Sequence, residues 1–85
     1  MMHSLSVVVV DPEKRNILSG LRLEICSAGC CYSVFYGHEP QIVELKKASA
    51  TLYSEGEEPV ALFSQAEGVC LIERSRVVCL LCRSI

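Results

Sequence analysis

The sequence lacks any run of apolar residues long enough to cross a membrane as a helix. No stretch of its 85 residues approaches the roughly 18 that such a span needs. It also lacks a secretory signal pattern. The opening MMHSLSVVVVDPEKR has no basic leading region, and its short apolar run from Leu5 to Val10, broken by Ser6, stops at Asp11-Pro12-Glu13. These two absences point to an intracellular, cytoplasmic protein with no transmembrane segment. Positive charge is sparse as well. Eight Lys and Arg stand against ten Asp and Glu, for a net charge of −2. The basic clusters are Lys14-Arg15, Lys46-Lys47 and Arg74-Ser75-Arg76, too few to line a groove that neutralises many phosphates. Nucleic acid is therefore disfavoured as a partner.

Catalytic side chains are equally scarce. Asp11 is the only aspartate, and His3 and His38 are the only histidines. His38 could serve as a base or a ligand beside a thiol, but nucleophilic catalysis needs a third group to orient the base, and no feature of the sequence identifies one. The glycines are spread one per turn and do not gather into a phosphate-cradling loop. Glu55-Gly56-Glu57-Glu58 lacks the alternating oxygen ligands of a calcium loop. No internal repeat or low-complexity linker divides the chain.

What is present is apolar. The apolar share is 51% and the charged share 21%, which is greasy for a domain with so much unavoidable surface. Residues 1–85 read as one domain, part of whose surface meets a partner. Leu5 to Val10 is a short β-branched run and reads as a buried strand. Residues 12–19 read as a turn or a short helix that Gly20 ends. Leu21 to Cys26 alternates without a break, and Cys31 to Tyr36 is rich in β-formers, so the two predict a hairpin around Ser27-Ala28-Gly29. The spacing of Ile42, Leu45, Ser49 and Leu52, widened by Val43, Ala50 and Tyr53, predicts a helix over 41–54. Val60 to Phe63 and Val69 to Glu73 read as strands around a turn at Gln65-Ala66-Glu67-Gly68, and Val77 to Cys82 as a last strand, apolar on both faces.

This order predicts an α+β fold: a mostly antiparallel sheet of about five strands with one main helix packed on one face. A helical 12–19 gives a ferredoxin-like split βαβ arrangement. A turn there gives a hairpin, a helix and a meander, which resembles small roadblock or longin-type modules. That resemblance is carried by the strand pattern from Pro59 to Cys82 and implies a fold of that type.

The cysteines are the one constellation with chemical potential. The predicted hairpin brings Cys26 near Cys30 or Cys31, and Cys79-Leu80-Leu81-Cys82 offers a second pair. Four thiolates in two pairs suit a tetrahedral zinc, which makes Cys26, Cys30, Cys31, Cys79 and Cys82 candidate ligands and zinc the candidate cofactor. Against this, positions three apart on a strand diverge. A thioredoxin-like role needs a helix after the motif, whereas only Arg83-Ser84-Ile85 follow Cys82. In an intracellular chain the six cysteines read as thiols or ligands, with a disulfide frame as the alternative. Cys70 and Cys79 read as small core residues. Cys82-Arg83-Ser84-Ile85 has the outline of a prenylation signal, but Arg83 and Ser84 occupy positions that are normally aliphatic, which argues against a lipid anchor at Cys82. Tyr32, Phe35 and Tyr36 could stack bases on a sheet, but no basic residue is interleaved, so packing is the preferred use.

The composition and the two-sided final strand together favour a non-enzymatic protein-interaction or regulatory module, acting as a homodimer or a complex subunit. The expected interface residues are Val77, Val78, Leu80 and Leu81, with strand-edge pairing as the expected mode. A zinc-stabilised adaptor and a thiol-based redox sensor or enzyme are the alternatives.

Overall fold

The computed structural model describes residues 3–83, and the regular structure among them is entirely strand. The strands are β1 (Leu5–Val10), β2 (Arg15–Gly20), β3 (Arg22–Ser27), β4 (Cys30–Phe35), β5 (Gln41–Tyr53), β6 (Val60–Ile72) and β7 (Arg76–Arg83). They form one seven-stranded sheet in the order β2-β1-β7-β6-β5-β3-β4. Neighbours run antiparallel except β1 and β7, which are parallel.

The α+β expectation is overturned, and with it both the ferredoxin-like and the roadblock or longin-type arrangements, because no helix is present among the described residues. The segment expected to be the main helix is β5. Its buried residues are Val43, Leu45, Ala48, Ala50 and Leu52. That series is the two-residue period of a strand with one extra residue inserted between Leu45 and Ala48. The insertion is a β-bulge. Leu45 pairs with Gly68 and Ala48 with Ala66, so Lys46 and Lys47 together oppose Glu67, and Lys47 takes a positive φ of 47°. A three-residue step inside a two-residue alternation imitates the spacing of a helix. Ile42, placed on the expected helix stripe, is 73% exposed on the far face of the sheet.

Two further segments depart from expectation for related reasons. Residues 12–19 contain no helix. Asp11 Oδ1 accepts hydrogen bonds from the Glu13 and Lys14 amides, both at 2.8 Å, and this turn leads into β2. The two amides hold the Asp11 carboxyl below the usual carboxylate range, the Glu13 contact first. Gln65-Ala66-Glu67-Gly68, expected as a turn, is the middle of β6. Gln65, at φ 53°, sits at a bulge within the strand, and Gly68, at φ 157°, lies opposite the bulges of β5 and β7.

The bulges divide the sheet into two layers. β7 pairs with β6 only over residues 67–72, and β3 pairs with β5 only over residues 49–53. One half is therefore β2, β1, β7, the end of β6 and the start of β5. The other is the start of β6, the end of β5, β3 and β4. Strands that pass between layers at bulges are a known way to turn a sheet onto itself. The inner faces meet in a single core: Leu5, Val7, Val9, Val77, Cys79 and Leu81 from the first half pack in one cluster with Leu23, Ile25, Val34 and Leu52 from the second. The β5 bulge is pinned from β3. Ser27 Oγ donates to the Glu44 carbonyl at 3.0 Å and accepts from the Lys46 amide at 2.9 Å.

Candidate interaction surface

The two halves expose different outer faces. On the second half the outward positions of β3 and β5 are polar or amphipathic: Arg22, Glu24, Cys26, Thr51 and Tyr53. Arg22 pairs with Glu24 at 3.2 Å and lies over the Tyr53 ring at 3.9 Å. On β4 the exposed Phe35 stands beside Arg22 in the same row, and the rest is the ordinary dress of a sheet face in water.

The first half is different. Its strand register aligns one outward residue from each of five strands in a single cross-strand row, Ile17–Val8–Val78–Leu71–Ile42. All are aliphatic. The adjacent row, two residues along the strands, reads Arg15–Val10–Leu80–Val69–Glu44. Ile17 is 64% exposed, Ile42 73%, Leu80 41% and Val69 37%. Val8 sits amid this belt and is only 4% exposed, although it points away from the core, because Ile17 and Val78 flank it. Polar groups rim the belt. Ser19, Ser6 and Arg76 form the next row on one side, with Arg76 paired to Glu73 at 3.2 Å. Cys82, exposed, lies beyond Leu80 on the other side.

Of the four residues expected at the interface, the fold separates two from two. Val77 is fully buried and Leu81 nearly so, both in the core, while Val78 and Leu80 face outward. β7 is flanked by β1 and β6, so its backbone edges are already paired and do not offer strand-edge association. Its two apolar faces have different uses, one packing the core and the other forming the centre of the belt. Val8, Val10, Ile17, Ile42, Val69 and Leu71 were not anticipated. The unbroken Val7-Val8-Val9-Val10 run was the signal that β1 is apolar on both faces.

The cysteines fall in three places. Cys26 and Cys31 are register partners on β3 and β4, and their sulfurs are joined in a disulfide. Cys30 and Cys82 are exposed thiols. Cys70 and Cys79 are buried register partners on β6 and β7, and their thiols share a hydrogen bond with the sulfurs 3.4 Å apart. That hydrogen bond, and then burial, push the Cys70 thiol well above its ordinary range. The five cysteines considered for zinc are thus divided between a disulfide, the core and the surface, and no group of three or more His, Cys, Asp or Glu is placed to hold a metal among the described residues. His38 Nδ1 lies 2.7 Å from the Glu39 carbonyl oxygen, and His3 stacks on Tyr36 at 4.5 Å. In the prenylation-like tail, residues 84 and 85 lie outside the described residues. No helix among the described residues is long and apolar enough to cross a membrane.

This arrangement predicts graded thiol reactivity. Under native conditions without reductant, a maleimide adds rapidly to Cys30 and Cys82, slowly to Cys70 and Cys79, and to Cys26 and Cys31 only after reduction. Timed alkylation read by peptide mass spectrometry checks this. Rapid labelling of Cys70 or Cys79 in folded protein would contradict the packing.

No protein-family model matches the chain, and no curated protein matches it in sequence.

Proposed function

We propose that the chain is a non-enzymatic protein-interaction module that docks a protein partner on the outer aliphatic face of β2, β1, β7, β6 and β5. The observation that carries this reading is the row Ile17–Val8–Val78–Leu71–Ile42, five aliphatic side chains in register across five strands. Contiguous apolar patches rimmed by polar residues are the usual mark of a protein contact. The opposite outer face carries an ion pair and hydroxyls beside the exposed Phe35, and no cross-strand row of aliphatic side chains.

Docking has physical consequences that can be separated from folding. Leu80 and Ile42 are exposed and outside the core, so an aspartate at either leaves the interior intact while placing a charge in the centre or at the end of the belt. In an extract of its own cells, the wild-type chain is expected to elute well above the size of a single 9.4 kDa protein. Leu80→Asp and Ile42→Asp are expected to elute at that monomer size with an unchanged circular dichroism spectrum. Thr51→Asp, on the polar face, is expected to elute like the wild type. A wild-type chain already monomeric in the extract, or belt variants that keep the larger size, would overturn the reading.

A further inference from the structure

We propose that the occupant of the belt is a second copy of this chain, seated face to face about a twofold axis that runs along β7. The inference rests on the interaction-module reading and adds to it the identity and geometry of the partner.

The argument lies in the order of residues across the two rows. Both are centred on β7, with Val78 in one and Leu80 in the other. A half-turn about an axis along β7, lying between two facing sheets, exchanges the β2 side of one copy with the β5 side of the other. Ile17 then lies over Ile42 of the partner, Val8 over its Leu71, and Val78 over its counterpart. In the second row Val10 lies over Val69 and Leu80 over Leu80. At the ends, the Arg15 guanidinium lies over the Glu44 carboxylate, and the symmetry repeats the pair on the other side. Aliphatic residues meet aliphatic ones, and the only two charges in these rows meet their opposites. An isologous interface requires this self-complementarity, in which each residue that touches another is touched in return by its symmetry mate.

Glu44 already holds Lys46 at 3.0 Å through Oε1, an exposed pair, so Oε2 remains to receive Arg15. Arg76 lies near the axis in the next row, but Glu73 at 3.2 Å neutralises it, so the two copies of Arg76 do not meet as bare cations. A net charge of −2 per chain adds little long-range repulsion. Five strands about 4.8 Å apart, each presenting about 20 Å of length, offer roughly 500 Å² in projection. The accessible area is larger than the projection, which places the contact toward the lower end of stable interfaces. A dimer that dissociates on dilution into the micromolar range is the expected behaviour.

Sedimentation velocity on the purified full chain across a dilution series measures the dimer. Arg15→Glu and Glu44→Arg, each alone, set like charges against each other at both ends and are expected to weaken the dimer at least tenfold. The double variant Arg15→Glu/Glu44→Arg restores opposite charges across the interface and is expected to recover most of the wild-type affinity. Cys82 provides an independent distance test. It lies two residues past Leu80 on the outward side of β7, so the axis places it near its own symmetry mate. A short bis-maleimide is expected to cross-link Cys30→Ser chains into dimers through Cys82, and to fail with Cys82→Ser. A purified chain that stays monomeric while the extract holds it in a larger complex overturns the second copy and leaves the docking surface standing. Monomer in both settings overturns both. A dimer that the double variant does not rescue and Cys82 does not link overturns this geometry.

Discussion

Gly68→Ala is expected to remove most of the stability of the fold. Gly68 lies on β6 opposite the bulges of β5 and β7 where the sheet turns over, with φ at +157°, a conformation that side chains rarely adopt. The spatial constraint is the more severe one. A Cβ built there falls onto the Leu80 carbonyl oxygen and 3.0 Å from the Leu81 Cα. These are backbone atoms of β7, so no rotamer change relieves the overlap. β7 has to leave β6, and in doing so it exposes Cys70, Cys79 and Leu81, which the two strands bury together. Clashes of this kind belong to the rare class of substitutions costing about 4 kcal/mol or more. A chain of this length commonly has roughly 4–13 kcal/mol in total. The expected result is an insoluble chain or a Tm lowered by roughly 15–30 °C. Gly56→Ala separates the clash from the dihedral. Gly56 also has positive φ, at +71°, but nothing lies within 4 Å of its added Cβ, so its cost stays near 1 kcal/mol. Thermal unfolding of both variants makes the comparison. Equal small losses would show that β7 does not run as close to Gly68 as the fold requires.

The same bulges explain which parts of the fold could be read from sequence. β1, β3, β4 and β7 carry their own signals: a β-branched run, an unbroken alternation, a cluster of β-formers, and a two-sided apolar segment. Each is local, and each appears as a strand within a residue of its expected bounds. β5 fails because periodicity is the signal and the bulge at Lys46-Lys47 breaks it by one residue. The step from Leu45 to Ala48 then counts toward a helix. β6 fails because Gln65 and Gly68 have the composition of a turn and are used instead to bend a continuous strand. The proposed docking surface is half legible for the same reason. Val78 and Leu80 lie on a strand whose two-sidedness is written in Val77 to Cys82. Ile17 and Ile42 join them only through a register that spans five strands, and such pairing between distant segments leaves no local periodicity to read.

Ser27→Ala is expected to cost about 2 kcal/mol, the penalty of two backbone groups losing a shared partner. Ser27 is the one buried polar side chain among the described residues, 5% exposed, at the end of β3. In sequence it reads as the first residue of a hairpin loop. In the fold its hydroxyl faces β5 just where the bulge interrupts the ladder, donating to the Glu44 carbonyl and accepting from the Lys46 amide. A regular strand would satisfy those two groups from its neighbour, whereas a bulge leaves groups over, and a side chain with one donor and free lone pairs can serve both. Alanine has neither function, and the site is too enclosed for bulk water to replace the hydroxyl at no cost. The Tm is expected to fall by roughly 8–16 °C. The local consequence is more telling than the global one. The Lys46 amide is expected to lose protection from hydrogen exchange by well over tenfold, while amides in β1 and β7 slow or speed only with overall stability. Ser27→Thr keeps the hydroxyl and is expected to retain that protection at some cost in packing. If Lys46 stays protected in the alanine variant, the bulge is held by other contacts. The link from a lone buried serine to the bend that folds the sheet, and so to the outer face the bend leaves exposed, would then be broken.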